Sequence, residues 1–492
     1  MNTSCIIGHF VPSADAAGVP AQVVVEGSLV AAVNILTTSI PQDAPWIIPG
    51  LIDAHIHPIE TGLTLLFADL SGCSSLVQVQ ECISDNLART DGDSPVVLAF
   101  NLDPEALSER RYPSRTELDM LCAERPLLVY RIDGHSAAVN SAGLALISDR
   151  ELDGIEYGTD SRPSGVLRGP AYETASLEFK RRLSADIIRE AIVLAGRRLA
   201  AMGVTSFGAL VGSDELTLAE WKLLVDSLAA LPIRAVPYLQ SWKPEVARNF
   251  GLKQTGGCLL LDGSFGSRTA ALSLPYADAP AEHGLLYRSD DQVASYLSRA
   301  SSLELQTAFH AIGDRAVEQL VRCHEAIGTR KDSLRHRIEH AELLRPDLIE
   351  GIRRANLVLV VQPAFEAYWG GPGRLYSARL DERWRNTNPL RTLRAAGIRL
   401  AGSSDSPITP ADPLAGISAA MNLPNPSQRL TGNEALALFT CDAAFALGIE
   451  QRVGTLAPGM AADFVLLDRD PRAGPDCRLL ATWCAGRCVH QS

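Results

Sequence analysis

His55 and His57 stand one residue apart, just after the apolar run Trp46-Ile-Ile-Pro-Gly-Leu-Ile and just before Pro58. Strand side chains alternate between faces, so this spacing presents two imidazoles on one side of a strand end. Two histidines so placed are a ready pair of metal ligands. The pair needs further ligands from elsewhere in the chain. His310 closes Leu305-Gln-Thr-Ala-Phe-His, His340 closes Arg335-His-Arg-Ile-Glu-His, and Asp405 follows Leu400-Ala-Gly-Ser-Ser. All five residues thus fall at the ends of β-like stretches, where random placement would scatter them over helices and loops.

Elements must bring these ends together. The middle of the chain alternates apolar β-like runs with longer amphipathic stretches, the pattern of repeated βα units on a parallel sheet. Candidate strands end at His57 and near Leu210, and others cover residues 233–240, 258–262, 305–310, 335–340, 357–362 and 398–403. Eight parallel strands with intervening helices close into a (β/α)8 TIM barrel, whose chemistry sits at the C-terminal strand ends. The long gap between the first and second strands exceeds what one crossover helix needs, so residues 60–180 are expected to form an inserted subdomain. Residues 1–48 and 450–492 both have β character, with Val23-Val-Val near one end and Phe464-Val-Leu-Leu near the other. They are expected to pair into one small β domain, a sandwich flanking the barrel at 49–449.

Composition narrows the function classes. The chain has 492 residues, 46% hydrophobic and 21% charged, as in a globular protein with more than one structural unit. A net charge of -12 disfavours nucleic acid and anionic membranes as partners. Residues 1–10 lack a basic n-region, and no apolar run approaches the roughly 20 residues that span a bilayer, so a cytoplasmic location is expected. The ten cysteines are expected to be mostly reduced core residues. Cys484, Cys488 and His490 resemble half a zinc site with no second half.

Five further stretches carry a resemblance. Pro49-Gly-Leu-Ile-Asp-Ala-His-Ile-His, Ala308-Phe-His-Ala-Ile-Gly-Asp, Arg337-Ile-Glu-His-Ala-Glu, Gly402-Ser-Ser-Asp-Ser-Pro and Gly454-Thr-Leu-Ala-Pro-Gly-Met-Ala-Ala-Asp look like the amidohydrolase superfamily. Gly134-His-Ser-Ala-Ala-Val-Asn-Ser and Asp262-Gly-Ser-Phe-Gly-Ser-Arg-Thr-Ala-Ala-Leu resemble its YtcJ-like branch, which includes N-substituted formamide deformylases. The resemblance implies a metal-dependent hydrolase barrel, one or two zinc ions, and a small-molecule substrate; a homodimer is compatible with it. It implies that His55, His57 and Asp405 hold the more buried metal and that His310 and His340 hold a second. Asp405 would also take a proton from water and pass it to a leaving nitrogen, general acid–base catalysis worth roughly 100- to 10,000-fold.

The resemblance also marks a departure. Many members carry a carbamylated lysine four positions before the Asp-Gly of the fourth strand, and here that position is Cys258. A thiolate also supplies one negative charge and is a good zinc ligand, but its reach is much shorter. Cys258 either bridges two metals, or leaves an effectively mononuclear site, or merely packs. His135, Asp262, Arg268 and Gln362 are candidate substrate-binding residues, with Gln362 alternatively supporting a ligand, while Tyr368 and Trp369 are candidate caps over an apolar substrate. His9, His283, His324, His336 and His490 are expected to lie outside the site. The reading that follows is hydrolysis of a carbon–nitrogen bond in an amide or formamide. Hydrolytic deamination of a heterocycle, lactam hydrolysis, and an inactive metal-binding homologue are the alternatives. Such deaminases place a glutamate close after the fifth-strand histidine, whereas here the chain reads His310-Ala-Ile-Gly-Asp.

Overall fold

The computed structural model describes residues 3–89, 94–147, 152–328 and 334–492. The chain divides into two compact units: Met1–Pro58 with Ala195–Asp262 and Ala271–Ser492, and Ile59–Leu194 with Gly263–Ala270. The expected insertion at 60–180 falls within the second unit.

The first unit contains all eight expected strands: β1 (Leu51–Ile56), β2 (Val204–Val211), β3 (Arg234–Leu239), β4 (Gln254–Leu260), β5 (Gln306–Ala311), β6 (Arg337–His340), β7 (Val358–Val361) and β8 (Leu400–Gly402). They pair in parallel as two runs, β1-β2-β3 and β4-β5-β6-β7-β8. This is a TIM-barrel-type α/β fold. At one seam β1 meets the chain leaving β8: Asp405 N donates to the His55 carbonyl at 3.1 Å and His57 N to the Ser406 carbonyl at 2.9 Å. At the other, Gln240 Nε2 donates to the Cys258 carbonyl at 3.3 Å.

Period-two alternation sorts the strand residues. Ile52, Ala54, Leu210, Tyr238, Cys258, Ala308, Val358, Val360 and Ala401 pack together on one face. Their neighbours Leu51, Leu259, Phe309, Ile338, Leu359, Val361 and Leu400 pack in a second core with helical residues such as Val317, Leu320 and Ile352. Burial of both faces explains why these strands read as near-continuous apolar runs.

One expectation about strands needs correction. The apolar run from Trp46 does not feed one strand. Trp46–Pro49 pairs with Thr3–Phe10 and Phe464–Leu467 in the terminal sheet, and β1 begins after Gly50. A Cβ on Gly50 would lie 2.3 Å from Thr205 Oγ1, so the chain passes from one sheet to the other where no side chain fits. Strands from the two chain ends pair in one seven-stranded sheet. Leu479–Cys484 and Arg487–Gln491 form a hairpin that turns at Ala485-Gly486, both with positive φ (47° and 73°).

The second unit carries a six-stranded mixed sheet that includes Val97–Leu102, Leu127–Arg131 and Ser136–Val139. Its helix Leu76–Arg89 buries Leu76, Val79 and Ile83 in a core with Val97, Leu118 and Val129. Among the described residues no helix is long and apolar enough to cross a membrane.

Two buried histidines of the first unit make acid stability measurable. His336 Nδ1 accepts from Thr307 N at 3.1 Å, its Nε2 has no partner, and burial lowers its pKa to about 4. Beside it, burial first and then the His336 charge push His324 down to about 3. A folded-state pKa below the unfolded value means that the unfolded chain binds the proton first. The stabilisation is therefore complete above about pH 6.5 and is lost as pH falls towards 4. From the His336 shift, about 2 kcal/mol should disappear between pH 7 and pH 5. Urea denaturation of wild type and His336→Gln at both pH values checks this. Equal pH slopes would count against it.

Candidate metal centre

His55 ends β1 with its ring fully buried, and His57 follows with an 18% exposed side chain. His55 Nδ1 lies 2.7 Å from Glu339 Oε2, so Nδ1–H donates to that carboxylate and the Nε2 lone pair is left facing away. Glu339 is itself gripped by Arg337, Nε to Oε1 at 2.8 Å and Nη2 to Oε2 at 2.7 Å. Arg337 is fully buried and donates further to Tyr238 OH at 2.6 Å and to the Ala54 carbonyl at 3.0 Å. Burial alone would raise the Glu339 carboxyl, but Arg337 and His55 hold it below its ordinary value.

Asp405 faces the same space from the end of β8. Its Oδ1 lies 3.0 Å from His55 Nε2 and 3.3 Å from His57 Nε2. The backbone there has φ +57°, a left-handed conformation rare for a non-glycine residue. Asp53 clamps the turn, since its two carboxylate oxygens each accept from Ser404 N at 3.1 Å and Oδ1 also accepts from His55 N at 3.2 Å. His340 is turned by the same device. Strict alternation would send it to the face opposite Glu339, but φ +72° at His340 and +48° at Ala341 bend the strand end. Its Nδ1 donates to Gln362 Oε1 at 2.9 Å, and Gln362 Nε2 donates to Ser403 Oγ at 2.9 Å. Gln362 is fully buried and so supports His340, one of its two expected roles.

Cys258 is brought in by a bulge. The β4–β5 register slips between Gly256 and Leu259, and both glycines there have positive φ, +85° and +96°. A Cβ on Gly257 would lie 2.8 Å from Tyr238 Cβ, so the distortion requires glycine. Cys258 Sγ reaches 3.6 Å from His310 Nδ1. Burial opposes ionisation, yet His310, His340 and His55 together hold the thiol well below its ordinary range.

These residues form two donor sets, His55–His57–Asp405 and His55–Cys258–His340, with the donor atoms of each within 4.8 Å of one another. His55 is common to both. His55 Nε2, His340 Nε2 and Asp405 Oδ1 are buried and make no hydrogen bond of ordinary geometry, although His55 Nε2 and Asp405 Oδ1 face each other at 3.0 Å. Buried orphans cost free energy, and three converging ones, with nitrogen, oxygen and sulfur donors, fit a transition-metal ion. Against burial, Asp405 raises His55 well above its usual range, and Asp405 and Cys258 lift His57 to about 9. His310 stands beside both sets without joining either, its ring 4.4 Å from that of His340 and its Nε2 3.6 Å from Asp262 Oδ1.

The remaining expected residues separate. Asp262 is fully buried and accepts from Ala271 N at 2.9 Å, Ile312 N at 3.0 Å and Gly313 N at 2.8 Å, tying down the turn after β5. Burial raises its carboxyl to about 6. His135 and Arg268 belong to the second unit, where Asp133 accepts from the Ser264 and Ser267 hydroxyls at 2.6 and 2.7 Å and pairs with Arg131. Cys484 donates to the Thr205 carbonyl and Cys488 to the His490 carbonyl. His9, His283, His324, His336 and His490 lie outside both donor sets. Phe365 stacks on His340 with ring centroids 6.1 Å apart, Trp369 meets Phe365 at 5.1 Å, and Tyr368, half exposed, meets Trp369 at 5.7 Å.

Arg337, Glu339 and Asp53 carry positioning roles that the sequence reading did not assign. The signal was present as alternation: Asp53 and His55, like Arg337 and Glu339, are two apart on one strand face.

Comparison with known proteins agrees with this geometry. The sequence profile of the family described as "Amidohydrolase family" matches residues 46–490. The putative amidohydrolase YtcJ of Bacillus subtilis is 28% identical over 89% of this chain and 86% of its own length. The N-substituted formamide deformylase of Arthrobacter pascens is 24% identical over 86% of this chain and 84% of its own. The crystal structure of an uncharacterized metal-dependent hydrolase from Pyrococcus furiosus superposes with a TM-score of 0.74 at 28% identity, covering 96% of this chain and all of that one.

Proposed function

The chain belongs to the amidohydrolase family and is a metal-dependent hydrolase, and from that premise we propose that it cleaves a carbon–nitrogen bond of amide or formamide type in a small molecule. The observation that carries this reading is the pair of donor sets meeting at His55, with buried nitrogen, oxygen and sulfur donors converging at strand ends. The similarity to a protein named N-substituted formamide deformylase supports the bond type, as does the absence of a glutamate just after His310.

His55, His57 and Asp405 would hold one ion, and Cys258 and His340 would add the donors for a second, with His310 alongside. A thiolate among imidazoles favours zinc over magnesium or manganese. When bound, the metal supplies Lewis-acid polarisation of a carbonyl and acidification of water. Glu339 and Gln362 fix the Nδ1–H tautomers of His55 and His340, so each presents Nε2. Asp405 lies well below the usual carboxylate range: burial opposes this, but His55 and His57 outweigh it, so the group is ionised at neutral pH and ready to accept a proton. It then returns that proton to the leaving nitrogen, so that an amine departs rather than an amide anion.

A panel of N-formyl amines, N-acyl amines, cyclic amides and carbamates, offered to zinc-loaded enzyme, tests the bond type. Turnover of formamides or amides is expected. Ammonia release from aminopyrimidines with amides inert would replace this reading with deamination. Metal analysis tests Cys258 separately. Cys258→Ala is expected to lose about one zinc per chain, and unchanged content would make Cys258 a packing residue.

A further inference from the structure

We infer that Tyr238 is a positioning residue for the metal centre, acting on His55 through Arg337 and Glu339. The inference rests on the two donor sets holding metal, as proposed above. Tyr238 lies on β3 with its side chain fully buried. Its hydroxyl accepts from Arg337 Nη1 and donates to Gln306 Oε1, both at 2.6 Å. Gln306 opens β5, and its Nε2 donates to the Arg335 carbonyl at 2.7 Å and to the Ala446 carbonyl at 3.1 Å. Those two carbonyls fix the amide, so Oε1 faces Tyr238 and the phenolic hydrogen points at Gln306. The oxygen lone pairs are left for Arg337.

The guanidinium is thereby held at three corners. Glu339 takes the edge formed by Nε and Nη2, and the Ala54 carbonyl also accepts from Nη2 at 3.0 Å. Tyr238 takes Nη1, the corner that the carboxylate does not reach. Its ring centroid lies 4.5 Å from Arg337 Cζ. A planar group gripped along one edge can still pivot about that edge, and a contact at the opposite corner stops it. Glu339 Oε2 is then held 2.7 Å from His55 Nδ1, which keeps the Nε2 lone pair presented. The chain Gln306–Tyr238–Arg337–Glu339–His55 draws on β5, β3, β6 and β1, and so joins both parallel runs of strands. A packing role accounts for the ring of Tyr238. It does not account for a hydroxyl set between a buried charge and a buried amide.

The experiment is equilibrium transfer of zinc from the full-length holoenzyme to a chromophoric chelator. Wild type, Tyr238→Phe, Glu339→Gln and the double variant are compared, with the folded fraction of each read by circular dichroism. Tyr238→Phe keeps the ring and removes the hydroxyl. It is expected to weaken zinc binding by about 3- to 10-fold, less than the roughly 10- to 100-fold for a residue bonded directly to a ligand. The double variant is expected to bind zinc no more weakly than Glu339→Gln alone, because the hydroxyl acts only through that carboxylate. Gln306→Met leaves Tyr238 in place but removes what aims its hydroxyl. It is expected to weaken binding in the same direction, and it gives the reading if Tyr238→Phe does not fold. Unchanged zinc affinity in folded Tyr238→Phe or Gln306→Met would overturn the inference even if stability fell, and so would losses that multiply in the double variant. Wild-type enzyme that takes up no zinc would overturn the metal reading itself, and this inference with it.

Discussion

Asp405→Asn is expected to lower kcat/KM by roughly 100- to 10,000-fold, the range for a group that both accepts and returns a proton. The substitution keeps the shape of the side chain and the backbone bond from Asp405 N to the His55 carbonyl. It removes the charge that His55 and His57 face and the ability to carry a proton. Because Asp405 belongs to the donor set with His55 and His57, metal content must be measured on the same samples. Loss of activity with metal retained, or not restored by added metal, supports proton transfer. Full recovery at high metal concentration would reduce Asp405 to a ligand.

The second large effect concerns stability. Arg337→Met should destabilise the fold by about 3–5 kcal/mol, because Glu339 would keep its charge in a fully buried position without its partner. Burial and pairing matter here more than the number of contacts. Arg337→Met combined with Glu339→Gln should recover much of the loss, since a neutral amide needs no counter-charge. Glu339→Gln alone leaves Arg337 without its counter-charge but changes what His55 Nδ1 meets, and should weaken metal binding about 10- to 100-fold. Urea denaturation and competitive zinc titration separate these outcomes. A single Arg337→Met variant within about 1 kcal/mol of wild type would show that the barrel interior admits water around Glu339.

The parts of this site written in local spacing were legible in the sequence. His55, His57, His310, His340 and Asp405 could be placed at strand ends because each closes or follows a β-like stretch, and the eight stretches became eight strands. What escaped depends on backbone geometry that composition does not encode. His340 and Asp405 reach the centre only through positive φ, and Cys258 only through the Gly256-Gly257 bulge, so its short reach could not be judged from residue type. The division of the first apolar run at Gly50 was hidden because both halves are equally apolar and both are buried. Asp262 read as a pocket residue because an acid after a barrel strand usually faces ligand. Here its two oxygens accept from three backbone amides.

The passage of the chain through Gly50 also sets an order of assembly. Trp46–Pro49, which leads directly into the strand bearing His55, takes its antiparallel neighbour from Phe464–Leu467, close to the other end of the chain. Asp405, the partner of His55 and His57, also arrives late. Synthesis runs from the N-terminus and long-range pairing waits for its second strand. The donor set His55–His57–Asp405 therefore closes only after residues far downstream have folded back beside the strand that bears His55.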